Sequence, residues 1–240
     1  MRSLFSKELT SFFSSLIGYL ILMVFLLATS LFLWVFDSQF NVLKTGYANI
    51  DGLFILAPWV FLFLIPALSM RFFSEEIKSG TMELLLTMPL SDWAIVLGKF
   101  FAGLALLFCA LLPTILYYVT VYALGSPVGD IDTGATIGAY IGLFFIGGMY
   151  LSIGTFISSL TENQIVSFVL SAVICFVFFI GFDFIAESLP MLSFLSNIGI
   201  NEHYSSISRG VIDTRDIIYF ISFIVMFLYF TTLSIAKKRK

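Results

Sequence analysis

Long apolar segments dominate this chain, and short polar stretches separate them. Six runs carry almost no charge, over Leu16 to Phe36, Leu53 to Phe73, Ala94 to Leu124, Thr133 to Leu160, Ile165 to Ile185 and Ile217 to Ala236. A helix needs about 20 apolar residues to cross the hydrocarbon core of a bilayer, and longer runs indicate tilt, not an extra crossing. The pattern predicts an all-α integral membrane protein with six transmembrane helices in one domain over residues 16–236.

The segment before the first run has a different pattern. Apolar residues recur there at helical spacing, with charged residues between them, at Leu4, Phe5, Leu9, Phe12, Phe13 and Leu16. This pattern predicts an amphipathic helix over residues 1–15 that lies in the membrane interface. The alternative is that these residues simply extend the first span. No small-residue cleavage site follows the first run, so we expect it to remain as an anchor.

Composition strengthens the membrane assignment. Of the 240 residues, 60% are hydrophobic and 11% are charged, whereas a soluble domain has about 25% charged residues. Six spans leave no room for a catalytic domain outside the membrane. The net charge of −3 matters less than how the charges divide between the two faces.

The basic residues predict the orientation. With both termini in the cytoplasm, nine of the twelve fall on the inner side, namely Arg2, Lys7, Arg71, Lys78, Lys99, Lys237, Lys238, Arg239 and Lys240. Lys44, Arg209 and Arg215 fall outside. This bias follows the positive-inside rule and predicts that both termini lie in the cytoplasm. The basic tail over 237–240 is typical of an anchor at an anionic leaflet, not of a nucleic-acid patch.

Little catalytic chemistry is available inside the spans. His203 is the only histidine, which excludes a His-Glu-x-x-His zinc site. Asp183 is the only acid well inside an apolar run, so it has no partner for an aspartyl pair. We therefore predict no catalytic and no metal-binding residues. Asp183 is either a residue that caps or pairs near the outer end of a helix or a candidate for the substrate path.

A glycine repeat marks the fourth run. Gly134, Gly138 and Gly142 recur every four residues, which gives a smooth helix face on which another helix can pack closely. We expect this face at an interface, inside the subunit or between subunits.

The connection after the second run concentrates five charges within the thirteen residues from Arg71 to Glu83. Gly80 is expected to end one helix, Thr81 to cap the next, and Pro89 to end that one. The short helix between them carries five apolar residues, Met82, Leu84, Leu85, Leu86 and Met88. Such a helix suits docking into a groove on a partner; the alternative is a helix that lies on the lipid.

At these residues the sequence resembles the type-2 (ABC-2) permease subunits of ATP-binding-cassette exporters. The resemblance rests on three motifs, Lys7-Glu8-Leu9, the Glu-Glu-x-x-x-Gly-Thr-x-Glu-x-Leu-Leu-x-x-Pro stretch from Glu75 to Pro89, and Gly98-Lys99. It implies a cytoplasmic coupling helix within residues 74–92 and short re-entrant helices before the last span, over 201–213. Overall likeness over 201–219 is closest to the permease of the gliding-motility transporter of Bacteroidetes.

The resemblance also implies a position in the bacterial inner membrane, a function and partners. The chain would form the translocation path of an exporter, linked to gliding motility or envelope export, and would pair with a second permease. The residues implied to couple it to a cytoplasmic ATPase are Glu75, Glu76, Gly80, Thr81, Glu83, Leu84, Leu85 and Pro89.

No phosphate-binding loop occurs, because Gly98-Lys99 is followed by Phe100. We therefore expect this chain to bind no cofactor, with ATP and Mg held by the partner ATPase. Its other expected partners are membrane lipids and not nucleic acid. The alternative function is a membrane scaffold or assembly subunit that transports nothing. Aromatic and aliphatic spans fit a lipid-linked or amphipathic cargo better than a small ion.

Overall fold

The computed structural model describes residues 2–188, 196–211 and 213–239, and all regular structure in these ranges is helical. The α-helices in chain order are α1 (Arg2–Ser14), α2 (Leu16–Ser30), α3 (Val42–Thr45), α4 (Asp51–Ser69), α5 (Ser74–Lys78), α6 (Thr81–Thr87), α7 (Asp92–Leu111), α8 (Ile115–Leu124), α9 (Thr133–Leu160), α10 (Gln164–Phe176), α11 (Phe182–Ser188), α12 (Ile200–Ile207) and α13 (Thr214–Lys238).

The six predicted spans are confirmed. Six helical stretches are long and apolar enough to cross a membrane, over Leu16–Val35, Asp51–Lys78, Asp92–Leu124, Thr133–Leu160, Gln164–Ser188 and Thr214–Lys238. Several of them are not regular throughout. A 3₁₀ turn at Pro113 separates α7 from α8, because proline cannot donate the helical hydrogen bond. One π-helical turn follows α2 and another, Val177–Gly181, follows α10.

The N-terminal helix is separate from the first span. α1 ends at Ser14, Ser15 has extended backbone angles, and its hydroxyl accepts a hydrogen bond from the amide of Gly18 in α2. The apolar residues Leu4 and Phe12 of α1 are buried, and α1 packs along α7. The segment therefore does not extend the first span; its position in the membrane interface stays a prediction.

Helix α9 forms the centre of the bundle and contacts α4, α7, α10 and α13. It begins at one end of the molecule, near the start of α4, and finishes at the other, where Ser74 of α5 donates a hydrogen bond to the carbonyl of Ser158. We call the second end, which carries α6, the α6 end. The opposite end, which carries α12, is called the distal end.

Two of the three predicted packing glycines lie against the distal segment. A Cβ at Gly138 would lie 2.8 Å from Gly210 Cα, and one at Gly142 would lie 3.0 Å from Ile207 Cγ2. Gly134 differs, since a Cβ there would come within 4 Å of Asp132 alone. It lies in the first turn of α9, beyond the helix crossing. The face thus packs inside the subunit, against α12 and the turn that follows it.

Candidate functional site

A buried ion cluster lies at the α6 end. Lys99 of α7 is only 1% exposed, and its ammonium Nζ donates to Glu8 Oε1 and to Glu76 Oε1, each at 2.9 Å. Glu8 belongs to α1 and Glu76 to α5, so one cation joins three separate helices. We call Glu8, Glu76 and Lys99 the ion cluster. Lys99, predicted to lie on the cytoplasmic side, is thus enclosed by α1 and α5 at the α6 end and is not a surface charge.

The cluster combines two carboxylates with one ammonium in a region of low solvent access. Lys99 Nζ also lies 5.2 Å from the centroid of the Phe73 ring, where a cation is attracted to the aromatic face. The second carboxylate oxygen of Glu76, Oε2, is buried without a hydrogen-bond partner. Removal of one partner from such a buried pair leaves an uncompensated charge and costs several kcal/mol. The relative positions of the three helices are therefore tied to this contact.

Glu76 is one of the predicted coupling residues, whereas Glu8 and Lys99 are site residues that the sequence did not predict. A signal was present, because Lys99 is the only lysine inside the Ala94 to Leu124 run. Ionisable residues within apolar spans are costly and commonly functional. What the sequence lacked was the partner, since Glu8 is 91 positions away.

The short helix predicted in the connection is present as α6. Gly80 separates it from α5 and adopts a left-handed conformation with φ +72°, which side-chain-bearing residues rarely adopt. Gly80 also takes the capping position, so the expectation that Thr81 caps the helix is wrong. Thr81 is the first helical residue, and its hydroxyl lies 2.9 Å from Ser79 Oγ. Met88 is extended just before Pro89, as proline requires, and α6 ends there.

The two faces of α6 have different environments. Met82 and Leu85 are buried against the bundle, whereas Leu84 is 66% and Met88 51% exposed. Leu85, one of the predicted coupling residues, therefore seats the helix and is not free for a partner. Glu83 lies in the first turn, where its charge suits the positive end of the helix dipole, and it is exposed.

The connection is held on both sides of α6. Before it, Arg71 Nε pairs with Glu75 Oε2 at 3.2 Å. Glu75 is exposed, whereas Glu76 points inward to Lys99. After it, the guanidinium of Arg239 pairs with Asp92 Oδ1 at 3.0 Å and donates to the carbonyl of Leu90 at 3.0 Å. The basic tail, predicted as a lipid anchor, thus contacts the protein through Arg239; Lys240 lies outside the described residues.

At the distal end, the predicted segment before the last span contains α12. Its His203 joins three parts of the chain. The ring Nδ1 lies 2.7 Å from Asp216 Oδ1, Nε2 lies 2.9 Å from the carbonyl of Asn197, and the ring stacks on Tyr219 at 3.9 Å between centroids. These contacts hold α12 against α13. That α12 re-enters the membrane stays a prediction.

A second contact holds α12 against α4. Tyr204 donates a hydrogen bond of 2.6 Å from its hydroxyl to the carbonyl of Phe54. Burial raises the pKa of the Tyr204 phenol, so it stays protonated and able to donate.

Asp183 also lies at the distal end, in the first turn of α11. Asn201 Nδ2 donates to its Oδ2 at 3.0 Å, while its Oδ1 is buried without a hydrogen-bond partner. The structure therefore does not bring Asp183 together with the predicted coupling residues. Asp183 lines a cavity beside α11, which adjoins a larger cavity between α4, α9 and α12.

Comparison with known families identifies the chain. The sequence model of a family described as "ABC-2 family transporter protein" matches residues 35–238, which is 204 of the 240 residues. The match covers Glu76 and Lys99 but begins after Glu8. No curated protein matches the chain. The matched span includes α6 and extends to the end of α13, so the chain belongs to the ABC-2 family of transporter proteins and is the membrane permease component of an ABC transporter, not its catalytic subunit.

Proposed function

We propose that this permease is driven by a separate cytoplasmic ATPase subunit, which binds ATP and Mg, and that α6 receives the movement of that subunit. The exposed apolar side chains Leu84, on the outer face of α6, and Met88, directly after its last turn, support this role. Met82 and Leu85 hold the opposite face of the helix against the bundle. Glu83 adds an exposed charge beside them. A groove on a partner would cover the two apolar side chains and pair the charge.

The ion cluster is the observation that carries the proposal. Only two residues, Ser79 and Gly80, join α6 to α5, so displacement of α6 acts directly on α5. Glu76 of α5 is bound to Lys99 of α7. The same ammonium is bound to Glu8 of α1. Motion at α6 therefore moves a span and the N-terminal helix together, because breaking the contact would leave a buried charge without a partner.

The same proposal includes a second permease, of the same or a related chain, and an inner-membrane position with both termini in the cytoplasm. The excess of basic residues at the termini and near α6 supports the orientation. The spans that begin with α2 and α10 leave large apolar side chains exposed along their length. Lipids would cover part of these surfaces, and a second permease would contact the rest.

The narrower part of the proposal is a role in gliding motility or envelope export. It is supported by the likeness over residues 201–219. Deletion of the gene tests the gliding role: loss of gliding that the wild-type gene restores would support it, and unchanged gliding would exclude it and leave envelope export.

The coupling role is tested with the full chain and the ATPase encoded beside its gene. Glu83→Lys with Leu84→Asp reverses the charge and removes the apolar contact on the exposed face of α6. We expect loss of co-purification and of permease-dependent ATPase activity. Leu43→Asp is the matched control, since Leu43 is an equally exposed leucine in α3, between the first two spans. If the double variant still co-purified with the ATPase and still stimulated its activity, α6 would not be the coupling element. If the wild-type chain bound no ATPase, it would be a scaffold.

A further inference from the structure

Three neighbouring cavities form one groove at the distal end. The largest, of about 640 Å³, lies between α4, α9 and α12. It shares Trp59, Phe179 and Asn201 with a cavity of about 280 Å³ beside α11. That cavity shares Asp183 and Glu187 with a third, of about 350 Å³. We call the three together the distal groove; its size suits a molecule larger than a small ion.

The groove is strongly negative. Its described lining residues include five carboxylates and one guanidinium, from Asp51, Asp132, Asp183, Glu187, Glu202 and Arg209. Asp132 already caps α9, and Arg209 donates to the carbonyl of Ser205. Among the described residues that line the α11 part of the groove, none is basic, and Asp183 has a buried carboxylate oxygen without a hydrogen-bond partner there. A cleft lined by one sign of charge concentrates ligands of the other sign.

An apolar stripe leads out of this negative region. Ile55, Trp59 and Phe63 follow each other at intervals of four along α4, so they lie on one helix face, and all three are exposed. Trp59 packs edge to face against Phe179 with 5.6 Å between ring centroids. Tryptophan is also the best aromatic partner for a cation. The stripe therefore begins at the groove and continues along the span.

We propose that the distal groove binds a cationic amphiphile, with its positive head among the carboxylates near Asp183 and Glu187 and its apolar chain along Ile55, Trp59 and Phe63. This names the cargo class of the proposed exporter, and to that extent it rests on the proposed function. Binding itself requires only this chain. The shared chemistry is an ammonium head on an apolar chain, which either a free amphiphile or an aminolipid of the membrane supplies.

The test uses the full chain in a non-ionic maltoside detergent and a dansyl-labelled dodecyl trimethylammonium probe, followed by fluorescence anisotropy. We expect saturable binding that a dansyl-labelled dodecyl sulfate of equal chain length does not show. Asp183→Asn with Glu187→Gln should weaken binding about tenfold, which corresponds to about 1.4 kcal/mol. Asp37→Asn is the matched control, because Asp37 pairs with Lys44 and does not line the groove. Phe63→Ser should weaken binding of the dodecyl probe but not of tetramethylammonium.

Competition separates the two sources of ligand. Displacement of the probe by short-chain phosphatidylethanolamine would support an aminolipid as occupant, and displacement by unlabelled dodecyl trimethylammonium alone would support a free amphiphile. Equal binding of the sulfate probe, or equal affinity of the Asp183 and Asp37 variants, would overturn the inference. Elution profile and Tm confirm that each variant is folded. Failure here with intact ATPase coupling would refute the groove assignment and leave the proposed function standing.

Discussion

Replacement of Lys99 by methionine is the most direct test of the ion cluster. Methionine has a similar length and keeps the apolar contacts of the side chain but removes its charge. Two mostly buried carboxylates, from Glu8 and Glu76, would then face each other without a cation. Loss of one partner from a buried ion pair typically costs about 3–5 kcal/mol. For a chain of this length, about 2–4 °C of Tm is lost per kcal/mol, so we expect a Tm lower by roughly 10 °C.

A second variant separates loss of charge balance from loss of packing. The triple substitution Lys99→Met, Glu8→Gln and Glu76→Gln removes all three charges while keeping side-chain size. Because a buried ion pair gives little net stability over a neutral replacement of similar volume, most of the lost Tm should return. Permease-dependent ATPase activity should stay low, since the electrostatic connection between α5 and α7 is gone.

The assay is thermal unfolding of the purified chain in detergent, followed by tryptophan fluorescence. Lys44→Met serves as the matched control, because Lys44 pairs with Asp37 on the surface and both side chains are mostly exposed. Exposed pairs contribute little, so its Tm should match that of the wild type. The reasoning would be refuted if Lys99→Met unfolded at the wild-type Tm, or if the triple variant were as unstable as the single one.

Three further predictions concern other contacts. Gly80→Ala forces a side-chain-bearing residue into positive φ, which costs about 1 kcal/mol; permease-dependent ATPase activity should fall while co-purification persists, and unchanged activity would contradict this. Arg239→Ala removes the contacts with Asp92 and Leu90 and should lower permease-dependent ATPase activity. Lys237→Ala is the control, because Lys237 is exposed, and it should leave this activity unchanged. An equal loss of activity in both variants would indicate a purely electrostatic role of the tail. Gly138→Val should lower Tm by several degrees because its Cβ would overlap Gly210, and Gly134→Val should be tolerated; equal losses would point to helix propensity instead of packing.

Much of the architecture followed from local sequence properties. The six spans are visible because each carries its own apolar run, and the energetic requirement of the bilayer acts on each helix separately. Both ends of α6 were visible as well, since Gly80 allows the left-handed turn that separates two helices and Pro89 cannot continue a helix. The prediction that Thr81 caps α6 failed for a local reason too, because a left-handed glycine turn left Thr81 inside the helix.

The faces of α6 could not be predicted from its sequence. The helix has only seven residues, and four of them are apolar, three of these consecutive, so no periodicity distinguishes a buried face from a free one. Only packing shows that Met82 and Leu85 are enclosed and that Leu84 and Met88 are exposed.

The sequence by itself determined that the chain is a six-span membrane protein with a charged connection after the second span. Only the tertiary structure decided that Glu8 and Glu76 meet at Lys99, and that carboxylates from α4, α11, α12 and the cap of α9 line one groove. The physical reason is that hydropathy is a property of each segment alone. A buried ion pair depends on which helix faces meet and at what height, and those are set by close packing between residues far apart in the chain.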